Sequence, residues 1–277
     1  MEYRTLYDMG AEELKEAGVE EAALDARLLL EEVCGTDRND LLVHGDHLVA
    51  EDQLERYMEC IDLRSKRIPL QHILGYQEFM GLKFKVTPDV LIPRQDTETL
   101  VEEVMRNLHD GMRILDMCTG SGCILLSLLR YSNDCVGTGC DLSEAALQVA
   151  QENARALSLE AEFIQSDLFE KVQGKYEIIV SNPPYIPSQE ILTLMEEVRD
   201  HDPLMALDGR EDGLYFYKEI IKGAGQHLHP GGMLFFEIGC TQAEDVSRYL
   251  KEAGYKEVTV CKDLAGLDRV VSGVYGG

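Results

Sequence analysis

A chain of 277 residues can build one large domain or two unequal ones, and 45% apolar residues supply an ordinary buried core. The formal charge of -25 comes from 51 acidic against 26 basic side chains, and residues 1–70 alone carry 18 acidic and 8 basic groups. With the acidity spread so evenly, no segment stands apart as a phosphate-binding surface; direct duplex binding is disfavoured and a basic protein partner is favoured.

No apolar run approaches the length of a membrane span. The N-terminus lacks the basic start and apolar centre of a signal peptide, so no membrane attachment and a cytoplasmic location are expected. The eight cysteines include no Cys-x-x-Cys pair or Cys/His cluster with zinc spacing. They read as small buried side chains in a reducing compartment, with no metal site.

Residues 1–75 show only helical periodicity. Apolar side chains recur at helical spacing over 6–17, 22–33 and 54–61, and Gly18, Gly35 and Gly45 punctuate them. Pro69 suits the first turn of one more short helix over 70–74, closed by Gly75. Residues 76–94 alternate around Leu82, Phe84 and Val86 before Pro88 and Pro93, the pattern of a hairpin or extended connector.

From residue 95 onward strands and helices alternate. A helix over 97–108 precedes strands at 113–117, 135–140, 161–165, 176–180 and 233–238, with a late pair near 257–261 and 270–274. Helices over 123–129, 143–157, 213–227 and 242–253 fall between them. Such alternation builds a mostly parallel sheet covered on both faces. The domain plan is a helical domain over 1–75, a connector over 76–94 and an α/β domain over 95–277.

The chemistry gathers at strand ends. Arg113-Ile-Leu-Asp-Met-Cys-Thr-Gly-Ser-Gly122 runs a strand into a glycine turn, where Gly120 and Gly122 permit a tight bend and close approach of a ligand. A dinucleotide fingerprint wants a third glycine where Leu125 stands. The next strand ends at Asp141, about 20 residues on, where a carboxylate can accept both hydroxyls of a ribose or cap the helix beginning near Ser143. A third strand ends at Asp167, followed by Leu168 and Phe169. That Asp either receives an adenine amino group between two flanking side chains or leads a turn.

The fourth strand end is Ser181-Asn-Pro-Pro-Tyr185. An amide nitrogen is a poor nucleophile because its lone pair is delocalised. The Asn182 side chain and the Pro183 carbonyl can each accept one N–H of a flat amide or amino group, and Tyr185 can pack against it. Proline fixes φ and offers no competing donor. Slot and glycine turn together point to methyl transfer from S-adenosylmethionine to a planar nitrogen. Arg94 and Glu98 read as surface charge pairs, with a bridge from connector to catalytic domain as the other reading.

Over nearly its whole length the chain resembles the methyltransferases that modify the glutamine nitrogen (N5) of peptide chain release factors, the HemK/PrmC family. The resemblance rests on Arg67-Ile-Pro-Leu-Gln-His-Ile-Leu-Gly75, Ile92-Pro-Arg-Gln-Asp-Thr-Glu98, the stretch 116–122, Asp141, Asn182 to Tyr185, Glu237-Ile-Gly239 with Gln242, and Asp268-Arg269. Asn-Pro-Pro-Tyr is shared with DNA amino-group methyltransferases; the helical front and the Pro-Arg-x-Asp-Thr-Glu connector narrow the match.

The resemblance implies an α/β fold: a class I, seven-stranded Rossmann-like methyltransferase domain preceded by a small all-α bundle. It implies S-adenosyl-L-methionine as cofactor, with S-adenosyl-L-homocysteine as product. The expected cofactor residues are Asp116, Cys118, Thr119, Gly120, Ser121, Gly122, Asp141, Asp167, Leu168 and Asn182. Catalysis is expected from Asn182, Pro183 and Tyr185, and substrate binding from Asn182, Pro183, Pro184 and Tyr185. The substrate implied is the glutamine of a Gly-Gly-Gln loop, with the front helices and the connector seating the release factor. Cys118 stands where many relatives have glycine, Leu168 replaces a tryptophan, and His201-Asp-Pro203 departs from Tyr-Glu-Pro. The competing readings are an adenine amino-group (N6) methyltransferase on DNA or RNA and an inert binding module that keeps the cofactor fold.

Overall fold

A computed structural model describes all residues from 1 to 277. The chain packs as two compact units, residues 1–76 with 195–201, and residues 77–194 with 202–277.

The first unit is helical: α1 (Tyr3–Glu16), α2 (Ala22–Cys34), α3 (Arg38–Val43), α4 (Glu51–Ser65) and α5 (Leu70–Leu74). Leu6, Leu14, Leu29, Leu30, Tyr57 and Ile61 are sealed in its core. Gly10 sits inside α1, where a methyl group would overlap the Tyr57 phenol, so glycine there lets α1 approach α4. Helix α3 escapes periodicity but not capping. Asp37 accepts from the Asn39 and Asp40 N–H groups, and Asp40 returns the bond to Asp37 N–H at 3.0 Å.

The short helix Glu196–His201 belongs to this unit, held by charge. Arg64, itself buried, reaches Asp25 at 2.8 Å and Glu197 at 3.1 Å, while Arg67 reaches the other Glu197 oxygen at 2.7 Å.

In the second unit, β1 (Tyr76–Phe79) and β2 (Leu82–Lys85) form a two-stranded sheet. Met80 and Gly81 between them both have positive φ, the twist that suits a two-residue turn. Helix α6 (Glu98–Met105) follows, and Glu98 accepts the Met80 N–H at 2.6 Å, so it ties the hairpin down rather than making a surface pair. The remaining elements are β3 (Arg113–Met117), α7 (Cys123–Tyr131), β4 (Val136–Asp141), α8 (Glu144–Ala156), β5 (Glu162–Gln165), β6 (Tyr176–Ser181), α9 (Tyr215–His227), β7 (Leu228–Glu237), α10 (Ala243–Glu252), β8 (Lys256–Lys262) and β9 (Asp268–Val274). A single turn, Leu204–Leu207, lies before α9.

The strands form one seven-stranded sheet in the order β5-β4-β3-β6-β7-β9-β8. Pairing is parallel through β7, and β9 runs antiparallel to both β7 and β8. Adjacent residues of β3 face opposite ways: Ile114 joins Leu125, Ile178 and Phe235 on one face, and Leu115 joins Ile179, Tyr217 and Phe236 on the other. Chain order reverses at β3, with β4 on one side and β6 on the other. The crevice beyond the carboxyl ends of β3 and β6 is therefore the switch point where such sheets bind ligands.

Candidate active site

A cavity of about 470 Å³ opens at that crevice. Its floor is the turn after β3. Cys118, Gly120 and Gly122 all have positive φ, which costs a cysteine more than a glycine. The turn is pinned from several sides. Thr119 N–H donates to Cys140 O at 3.0 Å, its hydroxyl donates to Asp116 at 2.6 Å, and Gly120 N–H donates to Asp141 Oδ2 at 2.9 Å. At Gly120 an added Cβ would meet nothing within 4 Å; at Gly122 it would press on Ala150 and Leu126 at 3.2 Å. One glycine thus leaves room for a ligand and the other serves helix packing.

Asp141 accepts from Ser143 N–H through Oδ1, also at 2.9 Å, yet the cap of α8 is Ser143, whose hydroxyl takes Ala146 N–H. The Asp141 side chain is therefore a brace for the glycine turn with a lone pair spare on each oxygen. Burial pushes its pKa up against the backbone donors that favour its charge. Asp116 is sealed beneath the turn and is not in the cavity wall; burial pushes it up to about 7, against the hydroxyl of Thr119. Burial likewise holds the Cys118 thiol protonated. Asp167 and Leu168 do line the cavity. Phe169 does not flank it: the ring stacks on His227 at 4.8 Å, the core placement of the two considered.

On the slot side, Asn182 and Pro184 line the cavity. Asn182 Nδ2 donates to the Thr97 hydroxyl at 3.4 Å, and neither Asn182 Oδ1 nor the Pro183 carbonyl accepts a hydrogen bond from the chain. Two free acceptors stand on consecutive residues. Pro183 itself is buried, and Tyr185 lies behind the wall, its phenol donating to Glu237 Oε1 at 3.4 Å. Arg94 also lines the cavity and pairs with Asp202 at 2.5 Å, which gives the altered His201-Asp-Pro203 stretch a defined role.

The residues present fit a nucleoside cofactor. The cavity volume lies in the range of small-molecule pockets, Gly120 leaves its edge open, and Asp141 is already fixed with acceptor capacity to spare.

Comparison with known proteins separates this sheet from its many functional cousins. Residues 5–75 match the PrmC N-terminal domain and residues 94–199 the methyltransferase small domain. A release factor glutamine methyltransferase of Geobacter sulfurreducens is 41% identical over 264 residues, 95% of this chain and 93% of that protein. One from Moorella thermoacetica is 43% identical over 262 residues, 92% of each. The chain belongs to the release factor glutamine methyltransferase family. Among solved structures, a methyltransferase from Pyrococcus furiosus superposes with a TM-score of 0.54 at 15% identity, covering 82% of this chain and all of that one. A Thermus thermophilus 16S rRNA guanine methyltransferase superposes with a TM-score of 0.54 at 19% identity over 72% of this chain and 49% of that one. These two likenesses speak to fold alone.

Two residues that hold this family member's site together had no role assigned from the sequence. Gln242, marked there only as part of the resemblance, spends its whole amide. Nε2 donates to Tyr185 O at 3.0 Å and Gly213 O at 3.3 Å; Oε1 accepts from Gly239 N–H at 2.9 Å and the Tyr217 hydroxyl at 3.2 Å. Asn153 joins the glycine turn to the hairpin, donating to Ser121 O and Lys85 O and accepting from Lys85 N–H. Its signal was a polar residue on the apolar stripe of α8. Of the cysteines, only Cys123 and Cys140 are buried outright and Cys240 is exposed, so the expectation of uniformly buried thiols fails.

Proposed function

We propose that the protein transfers the methyl group of S-adenosyl-L-methionine to side-chain N5 of the glutamine in the Gly-Gly-Gln loop of peptide chain release factors, leaving S-adenosyl-L-homocysteine and releasing one amide proton to solvent. The observation that carries the proposal is the pair of unpartnered acceptors on consecutive residues, Asn182 Oδ1 and Pro183 O, where Asn182 and Pro184 line a cavity suited to a nucleoside. A carboxamide nitrogen has two N–H groups, and two acceptors hold both. The bound cofactor supplies a methyl made electrophilic by its sulfonium centre. Asn182 and Pro183 take the two N–H bonds, and Pro184 closes the slot beside them. Asp141 accepts the ribose hydroxyls, and the turn from Cys118 to Gly122 lies along the cofactor, with Asp167 and Leu168 at the adenine. Tyr185 acts from behind the wall. The protein's contribution is orientation and dehydration rather than a strong base, a source worth about 7–11 kcal/mol in well-aligned pairs.

The helices of residues 1–75 and the connector over 76–94 are assigned to seating the release factor. An acidic surface with a net charge of -25 suits a protein substrate better than a phosphate backbone. The deciding experiment is transfer of labelled methyl to purified full-length release factor, with mass mapping of the product. Label on the Gly-Gly-Gln glutamine is expected, with turnover abolished and cofactor binding retained in Asn182→Ala. Cofactor binding without any label on release factor would refute the assignment.

A further inference from the structure

The slot rests on a buried acid that the proposed chemistry does not consume. Glu237 ends β7 with 2% of its surface exposed. Groups from several elements face it: Tyr185 beyond β6, Asp96 and Thr97 before α6, Arg269 on β9, Tyr217 on α9 and Cys123 at the start of α7. Tyr185 donates to Oε1, but Oε2 is a buried acceptor with no completed hydrogen bond. The Thr97 hydroxyl lies beside that carboxylate and favours its charge without a completed hydrogen bond, and Thr97 is also what Asn182 Nδ2 touches. Arg269 is mostly spoken for, by Asp263 at 3.0 Å, Asp96 at 3.1 Å and Ile238 O at 3.3 Å.

A hydroxyl has one proton. If Thr97 gives it to Glu237, only lone pairs remain for Asn182, and only the Nδ2 end of the Asn182 amide can meet a lone pair. Asn182 Oδ1 is then left free for the slot. We propose that Glu237 is a positioning residue for methyl transfer: by taking the Thr97 and Tyr185 protons it decides which end of the Asn182 amide serves the slot and holds the ring behind it. The inference rests on the methyl-transfer reading of that slot.

Two consequences distinguish positioning from mere packing. Burial pushes Glu237 up to about 7, against Thr97 and Arg269, which favour its charge. Only the ionised form takes both protons, so kcat falls as pH drops through that region, although a substrate carboxamide has nothing to titrate there. Glu237→Gln has the same shape, but its Nε2 donates. It can hand Thr97 a proton, turn the Thr97 proton toward Asn182, and favour the flipped amide.

The test uses the full chain, saturating S-adenosyl-L-methionine and full-length release factor between pH 5.5 and 8.5. Expected results are a kcat at least tenfold lower in Glu237→Gln at pH 8, loss of the acid limb, and affinity for S-adenosyl-L-homocysteine within twofold of wild type. Thr97→Val should lose kcat similarly and Thr97→Ser should recover it to within about threefold. The inference is overturned if Glu237→Gln keeps both its kcat and the acid limb. It is also overturned if kcat and cofactor affinity fall in parallel, which would mark a packing role, or if Thr97→Ser is no better than Thr97→Val. Failure of the wild-type protein to label release factor would instead remove the underlying function, so the two outcomes stay separate.

Discussion

Asp116→Asn should make the fold more stable, and more so the higher the pH. The Asp116 carboxyl is wholly buried under the glycine turn, where Oδ2 takes the Thr119 hydroxyl and Oδ1 has no partner. Its pKa is pushed from 3.8 up to about 7, chiefly by burial, with nearby Asp141 adding to the rise. The folded protein therefore holds a proton that the unfolded chain gives up at lower pH. Stability is fully present below the unfolded pKa and is lost as pH rises through the folded one. The rise from 3.8 to about 7 corresponds to about 4 kcal/mol at alkaline pH, of which about 2 kcal/mol appears between pH 5.5 and 8.5. Asn has the shape of the protonated acid and keeps an acceptor for Thr119, so it escapes that loss. Urea unfolding of both proteins across this interval should show the variant's advantage growing by about 2 kcal/mol and levelling off above pH 7. Glu237 titrates identically in the two proteins, so the difference isolates Asp116. A constant difference at every pH would mean that the Asp116 pKa is not raised.

Gln242→Ala strands two carbonyls and an amide N–H, while the Tyr217 hydroxyl keeps the Glu237 carbonyl at 3.1 Å, and should cost about 2–4 kcal/mol in urea unfolding. Gln242→Glu should be no milder at neutral pH, because a carboxylate would then face the carbonyls of Tyr185 and Gly213. Gly122→Ala should cost about 1–3 kcal/mol of stability, since its Cβ meets Ala150 and Leu126 at 3.2 Å in a left-handed conformation. Gly120→Ala, with open space around it, should cost about 1 kcal/mol of fold and show its main loss in equilibrium binding of S-adenosyl-L-homocysteine. Glu197→Ala should cost about 2 kcal/mol in the helical unit, read by thermal unfolding. Burial works against the Glu197 charge, but Arg67 and Arg64 outweigh it and lower its pKa. That stability is present above the ordinary glutamate pKa and fades as pH falls below it, a dependence the variant should lack.

Most of the sheet was legible because buried parallel strands are apolar runs of strand length ending in punctuated turns, as at Arg113 to Met117 and Tyr176 to Ser181. The cofactor side was legible for the same reason: glycines and acids at strand ends are conspicuous by position. What stayed hidden was decided by contacts distant in sequence. Nothing in Phe169 itself says that it will stack on His227, or in Tyr185 that its phenol will turn to Glu237. Asp116 and Asp141 look alike as strand-end acids, yet one is sealed under the turn and the other braces it from the cavity side. Helix α3 is too short for periodicity and shows itself only through its Asp37–Asp40 cap. The helix Glu196–His201 joins the front unit through arginines some 130 positions earlier, a pairing no local pattern announces.

That last feature makes the molecule's modularity only partial. The backbone departs from the sheet-bearing portion at residue 194, lends seven residues to the helical one, and returns at 202. A fragment ending at residue 76 would leave Arg67 without its carboxylate and Arg64 with Asp25 alone, while the remainder would carry a stranded acidic loop. Neither half can be exchanged with a foreign one by a single splice. Recombination that respected only the obvious junction would separate partners that must be inherited together.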